Sequence, residues 1–415
     1  MNEGFKKTVI GEVPQDWKVI SIGETGKIIN GGTPSTTEPA YWNGETPWCT
    51  PTDITALKGK KYISKTARSI SDEGVKESSA TIIGPNSLIV CTRATLGYSA
   101  INVVPFTTNQ GFKSIVPYQN IEVEFLFYTI SSIRSTIERL ASGSTFLEIS
   151  KKAFEAIKIA VPPLQEQQKI AKILSTVDEK IEVIGEQISQ TRELKRGLMQ
   201  RLLTKGIGHT RFKDSPLGKI PESWEVKELR KVASFRNGKA HEKNVAEDGN
   251  YILVNSKFIS SNGQVQKTTD SNLCPLFAGE ITMVMSDVPN GKAIAKCFLV
   301  DEDEKYTLNQ RICALKSLKA NTKYLFYIIN RNRFYLGFDN GVGQTNLKKD
   351  EVLQCPIPYP PLAEQQKIGR ILSTVDEKLE VLQDKKQQYQ ELKKGLMQQL
   401  LTGKIRVGID EPLTA

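Results

Sequence analysis

The stretch VPPLQEQQKIAKILSTVDEKIEVIGEQISQTRELKRGLMQRLLTKGI at 161–207 returns at 359–405 as YPPLAEQQKIGRILSTVDEKLEVLQDKKQQYQELKKGLMQQLLTGKI, with about 30 identities in 47 ungapped positions. Within each copy the apolar residues follow a seven-residue repeat. In the first, one line is Ile170, Val177, Ile184 and Leu198, and the other is Leu174, Ile181, Ile188 and Leu202, with Thr191 and Lys195 interrupting. In the second the lines are Ile368, Val375, Leu382, Tyr389 and Leu396, and Leu372, Leu379 and Leu400, interrupted by Lys386 and Lys393. A sustained period of 3.5 predicts coiled-coil helices. The prolines at 162–163 and 360–361 sit at the first turn and glycines lie near 206 and 403, as expected at helix ends. Each helix is therefore ~40 residues, or ~60 Å at 1.5 Å per residue.

A weaker repeat opens each half: IGEVPQDWKV at 10–19 matches LGKIPESWEV at 217–226, with Pro14 and Trp17 in register with Pro221 and Trp224. Between these anchors only fragments match, such as TTNQ (107–110) against TLNQ (307–310) and FLFY (125–128) against YLFY (324–327). The chain thus divides into a divergent domain (1–160), a long helix (161–207), a second divergent domain (208–358), a second long helix (359–405) and a short tail (406–415). Two copies that kept one job and separated in another account for this contrast. A connection of about 13 residues between the first helix and the second domain cannot return the chain ~60 Å, since a ~150-residue domain has a radius of gyration of roughly 15 Å. The helices are therefore expected to pair antiparallel. The closely duplicated outer faces, Glu179/Lys180 and Glu377/Lys378 among them, are read as two equivalent docking sites for two copies of one partner.

The divergent segments mix β-rich runs (SLIVCT, EITMVM, QRICAL) with helical stretches and loops rich in Gly, Thr, Ser and Asn. They read as α/β (α+β) domains with function on the loops. FLFY and YLFY read as helix core, and Asn109-Gln110 and Asn309-Gln310 as structural hydrogen-bonders.

The 415 residues carry 56 Lys and Arg against 46 Asp and Glu, a net charge of +10. The largest regional excess, about +5, falls on 208–358. That suits an anionic partner without identifying it. Six scattered cysteines (Cys49, Cys91, Cys274, Cys297, Cys313, Cys355) without a CxxC, and only His209 and His241, argue against disulfides and a zinc site. With no signal-peptide core and no long apolar run, a cytoplasmic location is expected and no membrane partner. No GxxxxGK[ST] loop, glycine-rich nucleotide fingerprint or amino-methyltransferase tetrapeptide occurs, and the histidines are not equivalent, so the chain reads as a recogniser without catalytic residues.

The duplicated PPLQEQQKI/PPLAEQQKI and LKRGLMQRLLTKGI/LKKGLMQQLLTGKI, each following a variable segment, resemble those of the specificity subunits of type I restriction-modification enzymes. The resemblance covers nearly the whole chain. It implies two target-recognition domains on double-stranded DNA, each reading one half of a bipartite asymmetric site. It also implies helices that set the spacer and engage two modification (methyltransferase) subunits, to which restriction subunits add. S-adenosylmethionine, ATP and Mg²⁺ would belong to those partners, making the assembled complex an adenine-specific methyltransferase and ATP-dependent endonuclease. Domains ~50 Å apart on a rod would address centres roughly 15 bp apart at 3.4 Å per base pair.

Loop position and chemistry nominate Thr33, Ser35, Lys58, Lys60, Lys61 and Arg93 in the first domain as DNA contacts. In the second they nominate Arg236, Lys239, Lys243, Lys257 and Lys292. The competing readings are a helical scaffold bridging two identical proteins without nucleic acid, a self-contained nuclease or methyltransferase, and a specificity subunit of a modification-only system.

Overall fold

The computed structural model describes residues 4–143, 147–289 and 291–408, so most of the predicted tail lies outside the described residues. The chain forms two compact units that cross the linear boundaries at 160, 207 and 358. One contains 1–184 and 385–415, and the other contains 185–384. Each long helix, Leu164–Lys205 and Leu362–Leu400, gives one half to each unit.

In the first unit the core sheet runs Gly26–Asn30, Lys113–Pro117, Ser87–Val90, Ser99–Asn102, Tyr62–Ile63 in spatial order. Its centre, SLIV, is buried on both faces, which is why it reads as a continuous apolar run instead of an alternation. A second sheet places Trp42–Cys49 between Thr107–Thr108, parallel to it, and Arg68–Ile70, antiparallel. The second unit repeats the plan: Ala233–Asn237, Ile312–Ser317, Ile281–Val284 and Cys297–Leu299 form one sheet. Tyr251–Val254 pairs parallel with Tyr306–Leu308 in another. FLFY and YLFY lie in the helices Val123–Ser132 and Thr322–Ile329, with Phe125, Tyr128, Tyr324 and Leu325 buried.

The duplicated motifs meet inside each unit. The strand after each opening tryptophan pairs antiparallel with the strand before each Pro-Pro: Lys18–Ser21 with Lys158–Val161, and Glu225–Glu228 with Pro356–Tyr359. Trp17 and Trp224 are fully buried. Their indole N–H groups donate to Glu166 (3.0 Å) and Glu364 (2.9 Å) in the first turn of the long helices. The next residue, Gln167 or Gln365, accepts from the backbone N–H of Glu122 or Asn321. It donates back to the Pro162 or Pro360 carbonyl. A buried donor without such a partner is costly, so the EQQ and Trp motifs are constrained together.

The helices run antiparallel within each unit. In the first, Glu166 pairs with Arg406 (2.8 Å) and, three turns on, Asp178 pairs with Lys393 (2.6 Å). In the second, Glu364 meets His209 (2.8 Å) and Asp376 meets Lys195 (2.5 Å). Two of the lysines that interrupt the heptads, Lys195 and Lys393, are therefore cross-helix contacts. Tyr128 and Tyr327 donate their hydroxyls to the same aspartates at 2.6 and 2.7 Å. Burial, then the bonded carboxylate, pushes both phenols far up, keeping them as donors.

The heptad residues Ile181, Ile184, Ile188, Leu198, Val375, Leu379, Leu382, Tyr389 and Leu396 are buried or half-buried, as is Val177. The end positions differ from a simple helix seam: Ile170, Leu174 and Leu400 belong to the first unit's globular core, and Leu202, Ile368 and Leu372 to the second's. Glycines follow each helix at positive φ, and a Cβ at Gly403 or Gly206 would meet Pro14 and Trp17, or Trp224 and Glu364.

Reversing one charge, as in Asp178→Lys, should destabilise the chain by about 1–3 kcal/mol, because Tyr128 loses its acceptor and Lys393 faces a like charge. Adding Lys393→Asp should recover much of the loss in thermal melting. An undiminished double-mutant loss would show that this pair does not fix the register.

Candidate nucleic-acid interface

In each unit a parallel strand pair ends on an Asn-Gln step. The Asn109 N–H donates to the Cys49 carbonyl (3.0 Å), and that of Asn309 to Val254 (3.1 Å). Both steps are roofed by glycine, since a Cβ on Gly31 or Gly238 would lie 1.7 or 1.9 Å from the Asn109 or Asn309 carbonyl oxygen. Thus NGG at 30–32 and NGK at 237–239 are the same structural element, a correspondence visible only once the Asn-Gln steps are aligned. Beside the step lie the end of the central strand (Thr92 and Arg93; Met285 and Ser286) and the segment bridged to it (Glu148; Asn346). Also beside it are the residues capping a short helix, Thr50 and Asn255.

On this shared frame the two units carry different chemistry. In the first, Thr33 donates its hydroxyl to Gln110. Arg93 lies 3.8 Å from Glu148, which also holds Lys113 at 3.8 Å. Ser35 shares a hydrogen bond with Thr37 (2.8 Å) and accepts from Trp42 through its carbonyl. In the second, Ser286 stands where Arg93 does, and Asp287 after it turns its carboxylate to the backbone N–H groups of Val288, Ala293 and Ile294 (2.6–2.9 Å), pinning the loop that carries Lys292. A cavity of about 400 Å³ beside it is lined by Asn255, Ser256, Asp287, Gln310, Arg311 and Gln344.

Three of the nominated cations have carboxylate partners within the protein. Lys61 is spent on Glu124 (2.7 Å) and Ser175 (2.6 Å), against the Tyr128 ring, and fastens the sheet to the first long helix. Lys60 is ion-paired with Glu182 on the same helix. Arg236 donates to both oxygens of Glu280 (2.8 and 3.0 Å), to the Pro275 carbonyl and to Cys274 Sγ. Lysine and arginine in a loop are read from sequence as surface cations, but long-range carboxylates decide their fate. Lys58, Lys239, Lys243, Lys257 and Lys292 are exposed. Gln310 and Arg311, both exposed, were not nominated from the sequence. The available signal was the change from Gly111 to Arg311 directly after matched Asn-Gln pairs.

Glu124 shows how strong the Lys61 contact is. Burial alone would raise its carboxyl, yet Lys61, Ser175 and Tyr62 outweigh that and hold it below the usual carboxylate range. All six cysteines are buried. Desolvation lifts the Cys91 and Cys313 thiols to about 12 and Cys355 to about 11. No group of three or more His, Cys, Asp or Glu side chains among the described residues is arranged to hold a metal. No helix of the described residues is long and apolar enough to cross a membrane.

The matched family model is that of the type I restriction modification DNA specificity domain, over residues 14–192 and 221–391, and the chain belongs to this family. It is 30% identical to the type I restriction enzyme MjaVIII specificity subunit of Methanocaldococcus jannaschii, over 98% of this chain and 96% of that one. It is 35% identical to the EcoR124I/EcoR124II specificity subunit of Escherichia coli, over 45% of this chain and 46% of that one. The fold is similar to the crystal structure of the S subunit of a type I system from M. genitalium, with TM-score 0.59, 15% identity, and 92% and 96% of the two chains covered. It is also similar to a chain of a type I restriction-modification assembly, with TM-score 0.54, 16% identity, and 95% and 99% coverage.

Two predictions follow from these contacts. Replacing Lys239, Lys257 and Lys292 together by alanine should weaken DNA binding and reduce its dependence on salt. Lys61→Ala and Arg236→Ala should instead lower the melting temperature, and unchanged salt slopes in the triple variant would remove those lysines from the interface. In addition, because the folded Glu124 carboxyl titrates below its unfolded value, its stabilisation is complete above the ordinary carboxylate pKa and disappears as pH falls through the folded value. Glu124→Gln should therefore flatten the acid limb of the stability curve, and an unchanged limb would show that this carboxylate does not contribute to it.

Proposed function

We propose that this chain is the specificity subunit of a type I restriction-modification complex, and that each unit reads one half of a bipartite, asymmetric site on double-stranded DNA. The observation that carries the reading is one loop frame built twice and furnished differently, Arg93 facing Ser286 and Gly111 facing Arg311 across the repeat. Two half-sites of different sequence require that combination. The long helices set the spacer between half-sites.

Catalysis lies with the partners. The chain contributes no catalytic residue, S-adenosylmethionine binds to two adenine-specific modification subunits, and ATP and Mg²⁺ bind to restriction subunits. The complex works in the cytoplasm. Much of the helix duplication serves internal contacts, Glu166, Gln167 and Asp178 among them, and so does not argue for docking. What does argue for docking is the identical apolar residues left exposed: Val183 and Val381 at 49% and 63%, and Leu194 and Leu392 at 55% and 48%. Their repetition fits two copies of one modification subunit.

Selection from random duplex DNA by the complex with its modification subunits should yield a bipartite motif. Replacing 15–160 by the matching segment of a relative should change one half-site only. No enrichment at moderate salt would favour a scaffold without nucleic acid. Leu194→Glu with Val381→Glu should leave one modification subunit bound in place of two by native mass spectrometry, and two retained copies would place the docking face elsewhere.

A further inference from the structure

Arg311 adopts φ 65°, a left-handed conformation that costs a non-glycine residue free energy and is kept where something else requires it. The equivalent position in the first unit is Gly111, whose N–H is taken by the Asn109 side chain (2.9 Å). In the second unit the backbone is equally fixed: the Arg311 carbonyl accepts from the Met285 N–H (2.9 Å), and Asn309 is tied to Val254. Glycine would serve this bend more cheaply, so the arginine side chain is not there for the fold.

Its neighbours are occupied with one another. Gln344 donates to Ser286 Oγ (2.6 Å), Ser286 to Asn346 (2.7 Å), and both Asp287 oxygens accept from backbone N–H groups. Among the described residues the Arg311 guanidinium has no hydrogen-bond or ion-pair partner, and neither does the adjacent Gln310 amide, whereas Gln110 accepts from Thr33. Arg236 offers the contrast, since its guanidinium is held by Glu280 and Pro275. The second unit therefore presents one unpartnered guanidinium from a fixed backbone position, at the edge of a cavity of about 400 Å³, and the first unit has only a hydrogen atom at the matching place.

We infer that Arg311 is a specificity-determining residue that reads a guanine in the half-site of the second unit. A guanidinium matches the paired O6 and N7 acceptors of guanine in the major groove bidentately, which no other base edge offers. A phosphate contact would not need a fixed backbone at strained φ, because a lysine on a flexible loop does that work. The inference rests on the proposed DNA recognition and adds which base class one residue reads.

The test compares wild type with Arg311→Gly and Arg311→Lys in the full chain bound to its modification subunits, using random-duplex selection followed by affinity measurements on the selected site. Arg311→Gly relieves the left-handed backbone, so it should fold at least as well as wild type by melting temperature. Arg311→Gly should lose one guanine from the second half-site, keep the first half-site unaltered, and bind the wild-type site roughly ten- to a hundred-fold more weakly, whereas Arg311→Lys, whose ammonium can still donate to O6 and N7, should keep a weakened preference for that guanine. DNA already mismatched at that position should bind all three alike. An unchanged motif in Arg311→Gly, with or without uniform weakening on every sequence, overturns the inference while leaving bipartite recognition intact. A wild-type complex that selects no bipartite motif overturns the functional reading and this inference with it.

Discussion

The structure depends on two carboxylate contacts made twice: the first-turn glutamate that holds a buried indole, and the aspartate three turns on that holds a tyrosine and a lysine from the other helix. The first attaches the start of each long helix to the domain preceding it. The second attaches that domain to the end of the opposite helix, so each unit closes only when both helices are present and antiparallel. A buried indole N–H or carboxylate without its partner costs more than a surface contact can return. Drift at Trp17, Glu166 or Asp178 is therefore opposed in both copies, whatever the loops do.

That constraint explains the uneven repeat. Residues serving the closure persist, and residues at the far ends of the strands change, because the frame beneath them is held by backbone hydrogen bonds and by close approach of Gly31 and Gly238 to the Asn carbonyls. A fixed frame with exchangeable tips suits a chain whose two halves address different sequences. The matched family model is consistent with this division, covering both halves as separate domains.

The long helices, their direction and the tandem plan were legible because they rest on local periodicity, an ungapped repeat and a short connection. The roles of Lys195 and Lys393 were not. A lysine in a heptad line looks like an interruption until the antiparallel partner brings an aspartate to it. The candidate interface was less legible for the same reason. Lys61 and Arg236 find carboxylates far away in sequence, while Arg311 shows itself only through its φ and the glycine at its counterpart. Cations that sequence ranks alike are sorted by tertiary contacts.

The most direct test of the central claim is to map the modified bases in the genome of the source cell with this gene present and deleted. The account predicts one methylated motif that vanishes on deletion, with two dissimilar half-sites and a fixed gap of unspecified bases. A methylation pattern unaffected by deletion, or a lost motif that is continuous or has identical halves, would contradict it.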